Sequence, residues 1–302
     1  MNFADKFNSA AISCKNCLCA GLDPELDTFP QFIRDHATQS ATSASEYSYH
    51  ALSAFYDIAL NALAGKVPAI KPNLAFFEQY GLGGMRAFAQ VIVQARQHGL
   101  LVIADAKRGD IGSTAQAYAR TFLGSSDFSS DALTVNPFLG FDTLEPFLAE
   151  CQRNDRGLFV LVRTSNPGSA ALQSLRSAHG HSASEVIADW IATRGQELLG
   201  HCGVSSLGAV VGATHPEEAA KVRALMPDAL LLVPGIGAQG AKFSDIVQVF
   251  RPDRSGVVLP LSRGLFTAQV MAAKDEQELR ELLIQRIEVL SGELNHAIQS
   301  LS

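Results

Sequence analysis

The sequence predicts an α/β fold, and within that class a (β/α)8 TIM barrel, on three observations. Eight short segments are apolar almost without interruption, which is typical of parallel strands covered on both faces. Segments with the apolar periodicity of helices lie between them. The chain has 302 residues, a length within the usual range of this fold.

The predicted strands follow one another at spacings that leave room for a helix. They are residues 17–22, 67–72, 100–107, 132–137, 158–165, 207–213, 229–235 and 256–264. The alternation of strand and helix implies a parallel sheet.

The predicted helices carry one apolar face each. Two such faces comprise Ala51, Phe55, Ile58 and Ala62, and Met85, Phe88, Ile92 and Ala95. We expect Gly65 and Gly99 to end these helices, because glycine adopts the left-handed conformation of a C-terminal cap. Another helix should begin near Thr214 with Pro216 in its first turn. A last, long helix carries an apolar stripe from Leu279 to Leu301, which Gly292 could interrupt.

No linker divides the sequence, so we expect a single barrel domain spanning residues 1–302. The polar stretch 36–48 is interpreted as part of an insertion near 30–50, ahead of the second strand. The long C-terminal helix is the other addition, and we assign neither a catalytic role.

Composition excludes several classes of function. The net charge of −6 argues against a general nucleic-acid binder. No apolar run approaches the roughly 20 residues that span a bilayer, and the N-terminus lacks the pattern of a secretory signal. We therefore expect a cytoplasmic location and no membrane partner.

The five cysteines are an odd number, which argues against a disulfide framework. Cys14 and Cys17 form a C-x-x-C pair, but Cys151 and Cys202 do not supply the second pair that a structural zinc site requires. Cys17 and Cys19 are better interpreted as core residues of a strand.

A glycine-rich motif, GIGAQG, follows the seventh predicted strand at 235–240. The pattern occurs in dinucleotide-binding proteins, where it normally follows the first strand of a βαβ unit. In a barrel, the loops after strands seven and eight commonly bind phosphate. Phosphate binding is the favoured interpretation.

Charged residues gather where the predicted strands end. Asp105 and Lys107 should point to the same side of the third strand, and Lys71 ends the neighbouring one. Asp110 and Thr114 would share a helical face if a helix began near Gly109.

An alternating Lys–Asp–Lys–Asp array of Lys71, Asp105, Lys107 and Asp110 has a chemical use. Carboxylates keep neighbouring ammonium groups charged, and a charged lysine can give a proton to a carbanion. A carboxylate beside a substrate carboxylate would favour its loss as CO₂. The alternative is a structural ion-pair network, which we disfavour because the glycine-rich loop and Arg263 lie at the same end of the barrel.

These motifs resemble a known family. GLDP, IKPN, DAKRGDI and PGIGAQG…SRG, which follow one another in this order from Gly21 to Gly264, resemble the motifs of orotidine 5′-phosphate decarboxylase. VNPFLGFDTLEPF and RTSNPGS are similar to the longer bacterial form (type 2). The resemblance implies a homodimeric barrel that converts orotidine 5′-phosphate to UMP and CO₂ in pyrimidine biosynthesis, with no metal and no organic cofactor.

The resemblance also implies roles for individual residues. Lys107 would protonate C6 of the pyrimidine, Asp105 would lie beside the substrate carboxylate, and Lys71 would bridge the ribose and the charge array. Asp110 and Thr114 would reach the partner subunit's site. The remaining substrate-binding residues would be Asp23 at the ribose, Ser165 and Pro234 at the pyrimidine, and Gln239, Arg263 and Gly264 at the phosphate.

Two nearby residues are assigned elsewhere. Arg163, at the end of the fifth predicted strand, is interpreted as a structural partner of an acid, although a place in the site stays open. His215 is explained by the start of a helix and is left out of the site.

Two other functions compete with the decarboxylase. Related sugar-phosphate enzymes, the 3-keto-gulonate 6-phosphate decarboxylases, use a divalent metal and carry an acid where this chain has Lys71. A lysine repels a cation, so the metal-dependent alternative is disfavoured. A barrel that only binds a nucleotide, as a sensor or scaffold, is the other alternative. A complete charge array argues against it.

Overall fold

The computed structural model describes residues 1–214, 216–237 and 240–299. Eight parallel strands form a closed barrel in chain order, and β1 pairs with β8 through Leu18 and Leu259. The strands are β1 (Leu18–Leu22), β2 (Ala69–Pro72), β3 (Leu101–Arg108), β4 (Ala132–Val135), β5 (Gly157–Arg163), β6 (Ser205–Val211), β7 (Ala229–Leu232) and β8 (Val257–Leu261). The predicted (β/α)8 barrel is confirmed.

Helices cover the outside of the barrel and close one end. They are α1 (Phe3–Cys14), α2 (Gln31–Ser40), α3 (Ala44–Leu63), α4 (Leu74–Glu78), α5 (Gly81–Gln97), α6 (Gly112–Leu123), α7 (Glu145–Asn154), α8 (Ala170–Gln173), α9 (Ala183–Gly195), α10 (Pro216–Leu225), α11 (Ala268–Met271) and α12 (Glu276–Gln299). Within the described ranges, no helix is long and apolar enough to cross a membrane.

Helix α1 seals the end of the barrel at which the strands begin. Phe3 is fully buried and packs edge-on against Phe159 of β5, with ring centroids 6.0 Å apart. A Cβ on Gly157, the first residue of β5, would lie only 2.4 Å from the Phe3 ring, so this position requires glycine. The open end of the barrel is therefore the carboxyl end of the strands.

The two predicted helix ends are confirmed. Gly65 follows α3 with φ +68°, and Gly99 follows α5 with φ +70°. The polar stretch 36–48 contains the end of α2, a short connection and the start of α3. Ser43 caps α3, since its hydroxyl oxygen accepts the Glu46 backbone N–H at 3.2 Å.

Gly292 does not interrupt the last helix, and that expectation is wrong. Helix α12 continues past it to Gln299, and a Cβ at Gly292 would face open space. The buried stripe on the opposite face consists of Leu279, Leu283, Ile287, Leu290 and Leu294. Burial of these side chains outweighs the cost of one exposed glycine, about 1 kcal/mol. Leu301, the last residue of the predicted stripe, lies outside the described residues.

All five cysteines are free thiols. Burial raises the pKa of Cys17 and of Cys19 to about 12, so both thiols stay protonated at neutral pH. The interpretation as core residues of a strand is confirmed for Cys19, which is fully buried in β1, whereas Cys17 directly precedes β1 and is only partly buried against the core. In the part of the chain that is described, no three His, Cys, Asp or Glu side chains are grouped to hold a metal ion.

Candidate active site

Three of the predicted catalytic residues meet at the open end of the barrel. The Asp105 carboxylate, at the end of β3, lies between two ammonium groups. Its Oδ2 accepts from Lys71 Nζ at 2.5 Å and its Oδ1 from Lys107 Nζ at 2.5 Å. The Lys71 and Asp105 side chains are only 8% and 11% exposed, whereas that of Lys107 is 50% exposed. The outer lysine thus faces the solvent from which a substrate would come.

The charges of this group support one another. Burial alone would favour neutral Asp105, yet Lys71 and Lys107 outweigh it and hold the pKa of the carboxyl well below its usual range. Burial likewise opposes the charge on Lys71, and the carboxylates of Asp105 and Asp23 reverse that effect and raise its pKa. Both groups are therefore ionised at neutral pH.

The fourth member of the predicted array stands apart. Asp110 Oδ1 accepts the Ile111 backbone N–H at 2.8 Å, and the described residues include no ion pair between Asp110 and Lys107. Helix α6 begins at Gly112, not near Gly109, so Asp110 precedes it. The expectation that Asp110 and Thr114 share a helical face is therefore wrong, because Gly112 with φ +52° turns the chain between them. Thr114 itself is exposed.

Asp23 has an unsatisfied oxygen next to this group. It directly follows β1, and its Oδ1 is buried without a hydrogen-bond partner among the described residues. An unpaired buried carboxylate oxygen is costly unless a ligand supplies the donor. Asp23 shares the lining of a cavity of about 660 Å³ with Tyr56 and Arg263.

The residues expected at the phosphate lie after β7 and β8. Arg263 is exposed and has no ion pair or hydrogen bond in the ranges 1–214, 216–237 and 240–299. The Gly264 carbonyl is anchored by Arg286 Nε at 2.7 Å. Pro234 is half-buried, and its carbonyl accepts the Ala213 backbone N–H at 2.9 Å. Gln239 lies outside the described residues, as does His215.

Ser165 is half-buried in the loop after β5, and Arg163 fixes that loop. The buried Arg163 guanidinium pairs with Glu218 at 2.5 Å and also donates to Ser169 Oγ and Gln173 Oε1. Gln173 Oε1 in turn accepts the Thr164 backbone N–H at 2.9 Å. Arg163 therefore pairs with an acid, as the structural interpretation predicts, and this pairing holds the chain next to Ser165.

The sequence analysis missed one residue of the site, Thr134 of β4. Its side chain lies between Asp105 and Lys107, with Oγ1 3.1 Å from Asp105 Oδ1 and 3.0 Å from the Lys107 backbone nitrogen. The signal available was a single hydroxyl within the apolar segment ALTV. Nothing in the spacing of the sequence indicated what it would face.

The fold and the site together define a barrel enzyme with an ionised Lys–Asp–Lys group at the carboxyl ends of neighbouring strands. Residues 17–282 match the profile of the orotidine 5′-phosphate decarboxylase / HUMPS family. The chain belongs to this family.

Individual proteins agree with this assignment. The chain is 41% identical to an orotidine 5′-phosphate decarboxylase of Rhodopirellula baltica, over 97% of this chain and 100% of the relative. It is 42% identical to one of Deinococcus radiodurans, with 98% of each covered. The structure of Leishmania donovani OMP decarboxylase is similar, with 32% identity, a TM-score of 0.68, and 97% of this chain and 99% of that chain covered.

Proposed function

We propose that this chain removes CO₂ from orotidine 5′-phosphate with the Lys71–Asp105–Lys107 group as its catalytic centre. Within its family the chain is a decarboxylase, a carbon–carbon lyase that forms UMP in pyrimidine synthesis. The observation that carries the mechanism is the Asp105 carboxylate held 2.5 Å from each of two ammonium groups at the open end of the barrel.

Two of the groups that would bind the substrate, Arg263 and Asp23, have hydrogen-bonding capacity that the described residues do not use. Arg263, Gln239 and the Gly264 amide would hold the phosphate, to which a guanidinium can donate two parallel hydrogen bonds. The unsatisfied oxygen of Asp23 would accept a ribose hydroxyl, with Lys71 beside it. Ser165 and Pro234 would contact the pyrimidine. This arrangement directs C6 and its carboxylate toward Asp105 and Lys107.

The chemical step follows from the charges. The substrate carboxylate lies beside Asp105, and the bond between C6 and the carboxyl carbon breaks so that its electron pair stays on C6 and CO₂ leaves. The Lys107 ammonium stabilises this developing negative charge and transfers its proton to C6, which gives UMP. The neutral amine of Lys107 then takes a proton from water. Lys71 keeps Asp105 in place throughout, because its ammonium group is buried against that carboxylate.

The metal-dependent sugar-phosphate reaction is the second candidate, and Lys71 argues against it. A divalent cation needs several oxygen ligands, and Asp105 is already occupied by two ammonium groups. Placing a cation there would set it against the buried ammonium group of Lys71, where little solvent is present to screen the repulsion.

We also propose a homodimer in which Asp110 and Thr114 complete the partner's site. Asp110 has no ionic partner within the described part of its own chain, although it lies at the open end of the barrel. Three exposed apolar side chains follow the same pair of neighbouring strands: Ile111 after β3, and Phe138 and Leu139 after β4, which are 62%, 77% and 51% exposed. Exposed apolar side chains at the same end of the barrel as a carboxylate without an ion pair favour an interface at this end.

The test is the loss of orotidine 5′-phosphate, followed by ultraviolet absorbance with and without EDTA. Turnover that is the same in both conditions supports decarboxylation by charged side chains. Turnover lost on addition of EDTA, or seen only with a sugar phosphate, would instead support the metal-dependent reaction.

A further inference from the structure

The position of Lys107 depends on an irregularity between β3 and β4. Ala104 pairs with Leu133 and Arg108 with Val135, so the three residues 105–107 of β3 lie opposite the single residue Thr134. A regular ladder would pair one residue with one. This bulge brings Asp105 and Lys107 together at the barrel mouth, and it also removes the backbone partners that a strand would supply.

Within the bulge, Lys107 has an unfavourable backbone conformation. Its φ is +47°, and of the four non-glycine residues with positive φ in the described ranges it is the one within a strand. Lys15 and Asp155 adopt this conformation as helix caps instead. A side chain with a Cβ in the left-handed region costs about 1–2 kcal/mol, so the surrounding structure must hold it there.

The Thr134 hydroxyl is placed to do this. The Lys107 backbone N–H can only donate, so Thr134 Oγ1 accepts from it, at 3.0 Å. The ionised Asp105 carboxylate can only accept, so the one hydroxyl proton of Thr134 goes to Asp105 Oδ1, at 3.1 Å. Thr134 is 1% exposed, and water cannot take over either hydrogen bond without entering the core. The chemistry of the two neighbours therefore fixes the direction of both bonds.

We infer that Thr134 is a positioning residue for catalysis: its hydroxyl ties the backbone of Lys107 to the carboxylate of Asp105 and so sets where the Lys107 ammonium lies. The expected effect on turnover rests on the proposed function. The two hydrogen bonds that position Lys107 do not depend on it. Thr134 touches no reacting atom. It acts through the two groups that do.

Replacement by valine separates the hydroxyl from the shape of the side chain. Thr134→Val keeps the volume and branching but leaves the Lys107 N–H and one site on Asp105 unpaired in a buried place. We expect kcat to fall by about 10- to 100-fold, and KM and the Kd for UMP to stay within about threefold. Thr134→Ser keeps the hydroxyl and should retain kcat within about threefold of wild type.

These variants give results that a merely structural role would not. Loss of kcat in the valine variant with rescue by serine, at unchanged UMP affinity, supports the inference. A valine variant with wild-type kcat, or a serine variant as slow as valine, overturns it. If the valine variant does not fold, Thr134→Ala and Thr134→Ser provide the same comparison, because both side chains are smaller and fit the site.

A crystal structure of Thr134→Val tests the inference independently of activity. Departure of Lys107 from the left-handed region supports it, and an unchanged Lys107 backbone with its ammonium still on Asp105 overturns it. If wild-type protein shows no turnover of orotidine 5′-phosphate, the proposed function fails, while this structural comparison still decides the role of Thr134.

Discussion

The two sides of the barrel mouth differ in how much of their bonding is complete before any substrate arrives. On the β2–β4 side, Lys71, Asp105, Lys107 and Thr134 are joined to one another by ion pairs and hydrogen bonds. On the β8 side, Arg263 is exposed and pairs with none of the described residues. The polar groups of the first side already bond to one another, whereas the guanidinium donors of Arg263 on the second side are not used by the described residues.

This difference corresponds to two kinds of work. Charges that act on a transition state are most effective when they are fixed in advance, because no energy is then spent on arranging them during the reaction. A group that binds a phosphate gains most when its donors are not already satisfied within the protein. We therefore expect changes on the first side to affect kcat and folding, and changes on the second to affect binding.

The largest effect is expected for Lys107→Ala. If Lys107 is the proton donor that we propose, its removal should lower kcat by about 100- to 10,000-fold, since proton transfer by a positioned side chain contributes a factor of roughly 10²–10⁴. The protein should stay folded, because this side chain is half exposed. The absorbance assay and a thermal unfolding curve measure both effects, with exposed Lys221→Ala as the matched control. A wild-type rate would remove Lys107 from the role of proton donor.

Asp105→Asn tests whether the assembled side also supports the fold. The substitution leaves buried Lys71 without its counter-charge, which should lower the free energy of unfolding by about 3 kcal/mol at pH 7. Asp127→Asn, at an exposed position, should change it by less than about 0.5 kcal/mol. Urea unfolding followed by circular dichroism measures both, and equal stability of the two variants would contradict the comparison.

The ion pair between Lys71 and Asp105 also predicts how the stability of the protein changes with pH. The folded-state pKa of Asp105 is lowered, so its contribution is complete above the unfolded value, roughly 3.9, and is lost as the pH falls below it. The folded-state pKa of Lys71 is raised, so its contribution is complete below the unfolded value, roughly 10.4, and is lost as the pH rises through the folded value. The advantage of wild type over Asp105→Asn should therefore be greatest between these limits.

Arg263→Ala should raise KM by about 10- to 100-fold, because one charge-assisted contact with the phosphate is lost. It should leave unfolding unchanged, since Arg263 has no partner to lose among the described residues. Orotidine, which lacks the phosphate, is the control substrate, and its slower reaction should be unaffected. An unchanged KM for the phosphorylated substrate would show that the phosphate binds elsewhere.

The smallest expected change is a partial recovery of activity when two inactive variants of the proposed dimer are mixed. Lys107→Ala and Asp110→Ala should each be nearly inactive, yet a mixture that exchanges subunits should recover about one quarter of wild-type activity. Half of the randomly formed dimers would contain both variants, and one of the two sites in each would have both residues intact. Each variant incubated alone is the control. No recovery, despite exchange shown by a mass-tagged subunit, would place Asp110 in its own chain's site.

The sequence predicted all eight strands, because a strand covered on both faces must be apolar along its whole length. It also predicted that Lys71, Asp105 and Lys107 meet, since the ends of neighbouring parallel strands lie at one edge. It did not predict the start of α6 or the continuity of α12. Both depend on competition between a local glycine preference and contacts with distant residues.

Thr134 was missed for a different reason. Its importance depends on the register of β3 against β4, and two extra residues in one strand change that register without any mark in the apolar pattern. Threonine has the same branched shape as valine and is equally common in strands, so the strand pattern gave no reason to single it out. Its role became visible only when the residue opposite it was known.

Because α1 seals one end of the barrel, it determines the path by which substrate can enter and products can leave. Phe3 and Phe7 fill the end of the barrel where the strands begin, and the interior above them is packed with side chains. A molecule released beside Asp105 therefore has no exit through the barrel axis. Under the proposed function, CO₂ formed there would leave through the same opening by which the nucleotide enters, so one opening would serve for substrate entry and for the release of both products.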